Sequence, residues 1–411
     1  MSEGKIVGWG ATVNEVNFLA DYWDEVVHIA CFYDSPAANS SLPYLKENIS
    51  FVPIPPYGGK RFFDKILIIT KIPKIIYTVI KNIKGSTEVQ LRVPTSMGLF
   101  LLPLFSFFIV RRFLFWVKYA GDWGQINPPL ANRIQRFWLK KNWSRCIVTI
   151  NGFWKNQPSH CKSFENPCLS KEDILYGKSI AVKKKFIKPY NFCFVGRLDE
   201  VKGVSRILDS LKNIPFYDIN EVNIIGDGEH MNKYLKQADF LKGKIFFHGA
   251  QNKQFVHEIM KKSHFLLLPS YAEGFPKVVA EAACYGVIPI VSDVGSISHY
   301  INENNGFLWE INKDGLGYKT VLIEAMAADE LMLEKKSIEI VKLAELFTFE
   351  KCKINNSIQV YSPPSPNRDI PETKIELNNN IAFHDTKDEK SKNLAKNIQI
   401  TGRRSGCRNY P

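Results

Sequence analysis

The stretch SYAEGFPKVVAEAACYG, residues 270–286, carries two carboxylates eight residues apart. Pro276 suits the first position of a helix and the closing glycine suits its end, so a helix is predicted between them. The residues of this helix are apolar except for Lys277 and Glu281, which predicts a buried helix that carries a carboxylate. The ordinary partner would be Lys277 one turn away, although Lys before Glu is the weaker order. A ligand is the alternative partner, and it would also account for Glu273 in the preceding turn.

Length and composition indicate a globular protein with room for two domains. The chain has 411 residues, of which 45% are hydrophobic and 23% are charged. Its eight cysteines include no CxxC motif, which favours free thiols in a reducing cytoplasm. His160, Cys161 and Cys168 lie close together but lack the spacing of a zinc site, so no metal is predicted. No signal peptide is visible, which predicts no export.

The net charge of +13 is confined to the first half of the chain. Residues 1–190 carry 26 Lys+Arg against 13 Asp+Glu, whereas residues 191–411 carry 28 of each. Such an asymmetry indicates an anionic partner, and an anionic membrane surface and a plain solvated basic face are equally compatible with it. No recognised nucleic-acid-binding motif is present, so nucleic acid is not predicted as a partner.

The first half contains two apolar stretches whose length and pattern bear on membrane association. Residues 97–110 are too short to span a bilayer and contain Pro103, so they predict a buried helix. Residues 61–84 mix apolar residues with lysines at helical spacing. That pattern favours a helix facing the core over one lying in a lipid interface.

Strand and helix signals alternate along both halves, which predicts parallel sheets flanked by helices. Two doubly wound domains facing a cleft are therefore expected, with ligands beyond the carboxyl ends of the strands. The predicted strands are 25–32, 49–54, 89–93, 113–120 and 146–150 in the first half, and 192–195, 222–225, 244–247, 265–268 and 288–291 in the second.

Two loops of the second half have the composition of anion-binding loops. Gly196 and Gly203 bracket the cations Arg197 and Lys202 just before a helix, which suits a phosphate or a diphosphate. A solvated turn with glycine ends explains the same residues. The next loop, which begins at Gly226, matches a dinucleotide fingerprint only in part, and a helix-capping turn is the simpler explanation of its acidic residues.

Five segments of the second half resemble the motifs of family 4 glycosyltransferases, in their usual order. They are VGRLDEVKG (195–203), IIGDGE (224–229), HGA (248–250), PSYAEGFPKVVAEA (269–282) and GVIPIVSDVG (286–295). The resemblance covers residues 190–310 strongly and the first half weakly. It implies the α/β GT-B fold, in which two Rossmann-like domains face a cleft.

The resemblance also implies roles for individual residues. Glu273 would contact the donor sugar as a catalytic residue, and Glu281 would bind the ribose hydroxyls. Arg197 and Lys202 would bind the donor diphosphate, whose negative charge they can stabilise without a metal. The other residues that it assigns to the donor site are Gly196, Gly226, Gly274 and Phe275.

In the first half, RVPTSMG (92–98) and KYAGDWG (118–124) are similar to segments of exopolysaccharide and lipid-linked oligosaccharide enzymes. Family members often carry a histidine near the reacting sugar, but the only histidine before His160 is His28, inside a predicted strand. Asp122, in a loop after a strand, is the substitute catalytic candidate. A turn-forming Asp is the alternative interpretation.

Three regions follow from these patterns: an acceptor-side domain (1–185), a nucleotide-sugar-binding domain (186–350) and a tail (351–411). The start of the chain offers only a weak first strand, so the first domain is expected to lack that element. Residues 347–353 would begin a helix that crosses back to the first domain. From about residue 357 the composition predicts a disordered tail.

The resemblance implies a hexosyltransferase that moves a sugar from a UDP- or GDP-sugar to a saccharide or lipid-linked saccharide acceptor. Retention of anomeric configuration and a role in cell-surface polysaccharide biosynthesis are implied with it. No metal or other cofactor is expected. The expected location is the cytoplasm, including peripheral attachment to the inner face of the cell membrane. The alternative is a degenerate GT-B protein that binds a nucleotide-sugar without turnover.

Overall fold

The computed structural model describes residues 6–34, 37–57, 62–109, 113–311, 317–351 and 396–400, and it builds them around two parallel β-sheets. The strands of the first half are β1 (Val7–Trp9), β2 (Glu25–Cys31), β3 (Ser41–Pro43), β4 (Ile49–Ile54), β5 (Glu88–Val93), β6 (Leu114–Tyr119), β7 (Ile147–Ile150) and β8 (Cys161–Ser163). Those that follow are β9 (Tyr190–Val195), β10 (Ile219–Ile225), β11 (Ile245–Phe247), β12 (Phe265–Leu268), β13 (Ile288–Ser292), β14 (Phe307–Trp309) and β15 (Lys396–Ile400). The predicted α/β class is confirmed, and every strand predicted from the sequence is present with small shifts of its ends.

Helices cover both sheets. The first half contains α1 (Gly10–Leu19), α2 (Phe62–Ile83), α3 (Gly98–Pro103), α4 (Leu130–Lys140) and α5 (Lys171–Ala181). The second half contains α6 (Val204–Leu211), α7 (Met231–Gln237), α8 (Lys253–Lys262), α9 (Lys277–Ala283), α10 (Tyr318–Ala327) and α11 (Glu330–Ala344).

The second sheet has the strand order β11-β10-β9-β12-β13-β14. This is the doubly wound order 3-2-1-4-5-6, whose switch point lies between the first and fourth strands, here β9 and β12. The central strands are continuous apolar runs because helices cover both faces of the sheet. All four residues of β12 are buried. The loops that follow β9 and β12 therefore flank the point where such sheets bind ligands.

The first sheet has the order β4-β2-β15-β5-β6-β7-β8, and all its neighbouring strands are parallel. In the 3-2-1-4-5-6 order of the second sheet, the equivalent strands of the first sheet are β4 at position three, β2 at two, β15 at one and β5 at four. The weak strand at the start of the chain, β1, pairs instead with β3 in a short antiparallel pair. A segment of the tail that was predicted to be disordered thus forms the central strand of this sheet. The predicted disorder of the remaining tail, beyond residue 351, lies outside the described residues.

One face of the first sheet is covered by α2, α3 and α4, which share a single hydrophobic core. Ile75, Val79 and Ile83 of α2 are buried in that core, so α2 faces the core as its pattern predicted. The apolar run 97–110 forms α3 and then a wider helical turn (Leu104–Phe108). Across the described parts of the chain, no helix combines the length and apolarity required to cross a bilayer.

The segment between the two domains belongs structurally to the second one. Cys168, Leu169 and Ile174 pack in the hydrophobic core of the second domain, and α5 contacts α11. The boundary predicted at residue 186 therefore lies too late, because α5 covers the second sheet. After α11 the chain returns to the first domain, where the ring of Phe349 lies 4.8 Å from that of Phe18 in α1. This agrees with the crossing predicted for residues 347–353, of which residues 347–351 are described.

Candidate active site

Glycines bring three loops into backbone contact at the carboxyl edge of the second sheet. The Gly196 N–H donates to Ile225 O at 3.0 Å, and the Gly226 N–H donates to Gly249 O at 2.8 Å. Gly226 has φ +135°, and a Cβ at this position would lie 1.8 Å from Gly196 O. Only glycine fits such a conformation and such an approach. The predicted loops after β9, β10 and β11 are therefore assembled side by side.

The two predicted cations lie on the loop after β9. Arg197 is half exposed, and its Nη2 forms an ion pair with Asp199 Oδ2 at 2.7 Å. Asp199 Oδ1 also accepts the Lys202 N–H at 3.0 Å and so caps the helical turn that presents Lys202. One carboxylate thus fixes both cations at the edge of the sheet, where a diphosphate would lie.

Lys202 and Glu273 are brought together from the ends of β9 and β12. The Lys202 ammonium donates to Glu273 Oε1, and the Glu273 side chain is only 9% exposed. The loop around Glu273 is held by the loop after β13, since Gly274 O accepts from both Ser296 N and Ser296 Oγ, at 2.9 and 3.0 Å. Gly295 has φ +60°, and a Cβ there would lie 2.0 Å from Glu273 O. The side chains predicted to bind the donor sugar and the donor diphosphate are therefore close enough to contact one ligand.

Arg206, which the sequence did not single out, supports the same two loops. Its guanidinium stacks 3.6 Å from the ring centroid of Tyr271, and its Nε donates to Pro269 O at 2.9 Å. Gly203 with φ +81° allows this approach, because a Cβ there would lie 2.3 Å from Pro269 O. Arg206 thus fixes the loops after β9 and β12 relative to each other. A cation at the start of α6 was the only sequence signal for it.

Glu281 lies in α9, whose neighbouring residues Ala280 and Ala282 are buried as predicted. Its expected partner is engaged elsewhere, because Lys277 Nζ donates to Pro167 O at 2.9 Å. The structure gives Glu281 no hydrogen bond and no ion pair to any described residue. Burial raises the pKa of the Glu281 carboxyl, and the positive charges of Lys253 and Lys277 oppose that effect. The predicted salt bridge to Lys277 is therefore not formed in the structure, and Glu281 is a half-buried acceptor that can take a ligand hydroxyl.

Phe275 and Pro276 occupy positions that differ from the prediction. The Phe275 ring is buried between Tyr300 and Phe347, with centroid distances of 4.8 and 4.5 Å. Its side chain packs in an aromatic core that includes Phe347, which follows α11. Any contact of Phe275 with a donor must therefore be made by its backbone. Pro276 is the residue before α9 and has an extended conformation, so it precedes the first helical position.

The first domain presents Asp122 beside the same loop. A Cβ on Gly274 would lie 3.2 Å from Gly121 O and 2.9 Å from Asn151 Nδ2, so the two domains approach each other there. Asp122 Oδ1 accepts the Gly124 N–H at 2.9 Å, which is the turn-forming role weighed as its alternative. Burial raises the pKa of Asp122, while that hydrogen bond and the Arg136 charge lower it. The side chain is thus placed at the domain boundary as part of a structured turn.

The first domain also contains a buried charge cluster that was not predicted from the sequence. Lys118 and Arg92 are register partners on β6 and β5, and both face Glu15 of α1 at 2.6 and 3.6 Å. The surrounding positive charges hold the pKa of Glu15 below its usual range, although burial opposes them. Burial lowers the pKa of Lys118. A lysine inside the otherwise apolar strand LFWVKY was the available signal.

A cavity of 480 Å³ lies between residues 153–165 and the segment after α11, where Leu346 and Lys351 line it. None of the residues predicted for the site lines it. The post-strand loops carry the convergent cations and carboxylates, so they, and not this cavity, form the candidate site.

Residues 178–317 match the family described as glycosyl transferases group 1. The matched segment contains every donor-side residue discussed above. Over this segment the chain therefore resembles the group 1 glycosyltransferases. The two doubly wound domains are the GT-B fold, as predicted.

Individual relatives agree with this assignment over part of their length. A glycogen synthase of Leptospira biflexa is 26% identical over 249 residues, which cover 57% of this chain and 45% of that protein. An Escherichia coli UDP-Gal:alpha-D-GlcNAc-diphosphoundecaprenol alpha-1,3-galactosyltransferase is 33% identical over 153 residues, which cover 36% of this chain and 38% of that one. The chain thus spans about half or less of the length of these curated relatives.

Solved structures extend the fold comparison to both domains. Sucrose-phosphate synthase from Thermosynechococcus elongatus superposes with a TM-score of 0.61 at 14% identity, over 84% of this chain and 90% of that one. Anabaena HepE in complex with UDP and glucose superposes with a TM-score of 0.59 at 15% identity, over 86% and 96%. At such low identities the likeness concerns the fold alone.

Proposed function

We propose that the chain is a hexosyltransferase that moves a sugar from a nucleotide-sugar donor to a saccharide or lipid-linked saccharide acceptor. The observation that carries this proposal is the contact between Lys202 and Glu273 across the switch point of the second sheet. Arg197 stands beside this pair and Glu281 follows it in α9. Fixed cations and carboxylates at one sheet edge suit a ligand with a diphosphate at one end and hydroxyls at the other.

The diphosphate would lie against Lys202 and Arg197. Breaking the bond between sugar and diphosphate leaves negative charge on the leaving group, and fixed cations stabilise that charge most in the transition state. Neither side chain requires a metal for this purpose. Transfer is therefore expected to persist in the presence of EDTA.

The hydroxyls would be held by the two carboxylates. Glu273, beside Lys202, would accept from the donor sugar near the reacting carbon, and Glu281 would accept from the ribose. Asp122 would approach the reacting sugar from the first domain, because its turn adjoins Gly274 across the domain boundary. Retention of anomeric configuration belongs to this proposal because the resemblance to family 4 glycosyltransferases implies it.

The donor class is proposed to be a UDP- or GDP-sugar, and the setting is cell-surface polysaccharide biosynthesis at the inner face of the membrane. HepE, which shares the fold, was solved with UDP and glucose. The Escherichia coli relative is named for a UDP-galactose donor and a diphosphoundecaprenol acceptor. Both descriptions favour a UDP-sugar donor, and the second favours a lipid-linked acceptor.

The test begins with a thermal-shift panel of UDP- and GDP-sugars, in which a bound donor raises the melting temperature. Hydrolysis of the selected donor is then compared in wild type, Glu273→Gln and the control Glu303→Gln, an exposed carboxylate of the same domain. We expect Glu273→Gln to lose at least about a hundredfold in turnover, as enzymes do when a transition-state contact is removed. Equal turnover in all three proteins would reject the role of Glu273.

Binding without turnover is the competing function, and the hydrogen bond that ties Asp122 into a turn favours it. That function predicts a donor-induced rise in melting temperature with no hydrolysis or transfer in the wild type. It also predicts that Asp122→Asn leaves all readouts unchanged.

A further inference from the structure

The helices α2, α3 and α4 form one layer whose inner sides share the core of the first domain. Their outer sides carry exposed apolar side chains. We call this outer surface of α2, α3, α4 and the turn after α4 the helical face.

The outer stripe of α4 is apolar. Leu130, Ile134 and Phe137 are 64%, 47% and 51% exposed, and their spacing of four and three residues places them on one side of the helix. The opposite side buries Gln135 and Leu139. A helix that is apolar on its outer stripe as well as its inner side has a second surface to cover.

Aromatic rings continue this stripe across the helical face. The ring of Phe137 lies 5.5 Å from that of Trp143, Trp143 lies 4.9 Å from Trp138, and Trp138 lies 5.4 Å from Phe107. Phe107 and Trp143 are 65% and 45% exposed. The four rings form one continuous aromatic patch rather than scattered single residues, and contiguous exposed patches mark interaction surfaces.

The neighbouring helix α2 has the same character. Ile69, Tyr77 and Ile80 are exposed along its outer side, and Lys74 and Lys81 are exposed beside them. The amphipathic pattern that places one side of α2 in the core therefore leaves a mixed apolar and basic side outside.

The charge around the helical face is almost entirely positive. Residues 62–164, from the start of α2, contain 16 Lys+Arg against three acidic residues, Asp64, Glu88 and Asp122. Two of these cations, Arg92 and Lys118, are paired with Glu15 in the interior and do not belong to the helical face. Glu88 is buried and accepts from Trp116 Nε1 at 2.6 Å, and Asp122 lies in its turn at the domain boundary. Lys140 and Lys141 border the aromatic patch and are exposed. This charge favours an anionic partner for the helical face.

We propose that the helical face docks on an anionic lipid bilayer, with Phe137, Trp143 and Phe107 in the headgroup region and the lysines against lipid phosphates. An exposed apolar stripe flanked by Lys and Arg, with Trp at its border, is the composition of a surface that lies in a membrane interface. A nucleic acid would need the charge but not the aliphatic side chains of α4. A second copy of the chain would place equal positive charges against each other.

Vesicle co-sedimentation tests this proposal, with phosphatidylcholine alone and with phosphatidylcholine mixed with phosphatidylglycerol. Wild type is compared with Phe137→Asn/Trp143→Asn, with Lys140→Gln/Lys141→Gln, and with the control Phe216→Asn/Tyr217→Asn on exposed aromatics of the second domain. At low salt we expect the aromatic variant to lose at least about tenfold in affinity for the mixed vesicles. The lysine variant should lose about fivefold per charge, less at high salt, and the control should bind as wild type.

Three results would overturn the proposal. One is no binding of wild type to the mixed vesicles, and another is an equal loss in the control variant. The third is a loss confined to the lysine variant with full displacement by single-stranded DNA, which would show a polyanion site instead. Circular dichroism of each variant verifies that it folds. Because lipid binding is read without sugar transfer, these results leave the proposed reaction to its own test.

Discussion

Glu281 forms no ion pair with Lys277, because Lys277 contacts a different segment of the chain. In sequence Lys277 is one helical turn from it, but the ammonium donates to Pro167 O in the segment between the domains. A carbonyl of another segment is a partner that helical spacing does not reveal. The carboxylate is left half-buried in α9 among buried alanines, where it has partly lost water and a ligand hydroxyl can replace that water.

Glu281→Gln is expected to weaken binding of the selected nucleoside diphosphate by about tenfold to a hundredfold, the value of one hydrogen bond to a charged group. Stability should stay the same or rise, because a half-buried charge is replaced by a neutral group of equal size. Isothermal titration and urea unfolding measure the two effects. Loss of stability together with unchanged affinity would show that Glu281 has a structural role only.

The Glu15 carboxylate leads to a prediction about pH. The cations Lys118 and Arg92 keep it ionised in the folded state below its ordinary pKa of 4.5, so it contributes stability above that pH. That contribution is lost as the pH falls below about 4.5, since the unfolded chain then binds the proton more readily. Glu15→Gln should cost about 3–5 kcal/mol near neutral pH, because Lys118 stays buried without its partner.

Urea unfolding from pH 7 to pH 3 provides the measurement for Glu15. The free energies of unfolding of wild type and Glu15→Gln should converge as the pH falls. The double variant Glu15→Gln/Lys118→Met should be more stable than the single variant, because it removes the unpaired buried charge. Additive losses in the double variant would contradict the pairing.

At the scale of elements, β15 shows where local patterns fail. The segment 396–400 stands in a region rich in Asn, Lys and Ser, and that composition predicted disorder. Its partners β2 and β5 are hundreds of residues away in sequence, and both pair with it along parallel ladders. A strand of five residues can be identified only when the gap that it fills between two other strands is known.

Ile398→Pro is the test of β15. Proline removes a ladder hydrogen bond at the centre of the strand, so the variant should lose at least about 3 kcal/mol in free energy of unfolding. Ile398→Val preserves the backbone and the strand preference, and it should stay within about 1 kcal/mol of wild type. Equal stability of the proline variant and wild type, measured in urea, would remove β15 from the sheet.

For the whole molecule, the approach of the two domains depends on glycines that neither domain requires alone. Gly152 has φ +80°, and a Cβ there would lie 2.4 Å from Ser296 Cβ and 2.5 Å from His299 Nδ1. The same histidine ring nitrogen accepts the Phe153 N–H at 3.0 Å. Together with Gly274 against Gly121, these contacts bring Asp122 next to the loop of Glu273.

Gly152→Ala should therefore separate the domains. We expect a larger radius of gyration in small-angle X-ray scattering and at least about tenfold slower transfer, as when catalytic groups are displaced. Nucleotide affinity should be retained, since the donor loops lie in the second domain. Gly85→Ala is the matched control, because Gly85 has φ +79° in the first domain but no atom within 4 Å of a new Cβ. Equal behaviour of the two variants would assign the effect to backbone strain alone.

The sequence by itself determined the α/β class, the alternation of strands and helices, and the loops after the strands that carry the candidate site residues. These features follow from local periods, from glycines at the ends of strands and from motifs of 14 residues or fewer. The tertiary structure alone decided that Lys202 contacts Glu273 and that Lys277 donates to Pro167 O instead of pairing with Glu281. It also decided that the Phe275 ring packs in the interior and that residues 396–400 complete the first sheet. Each of these contacts joins residues that are far apart in the chain. The free energy of a buried charge or of an unpaired strand edge is set by the partner that is closest in space and not by the one closest in sequence.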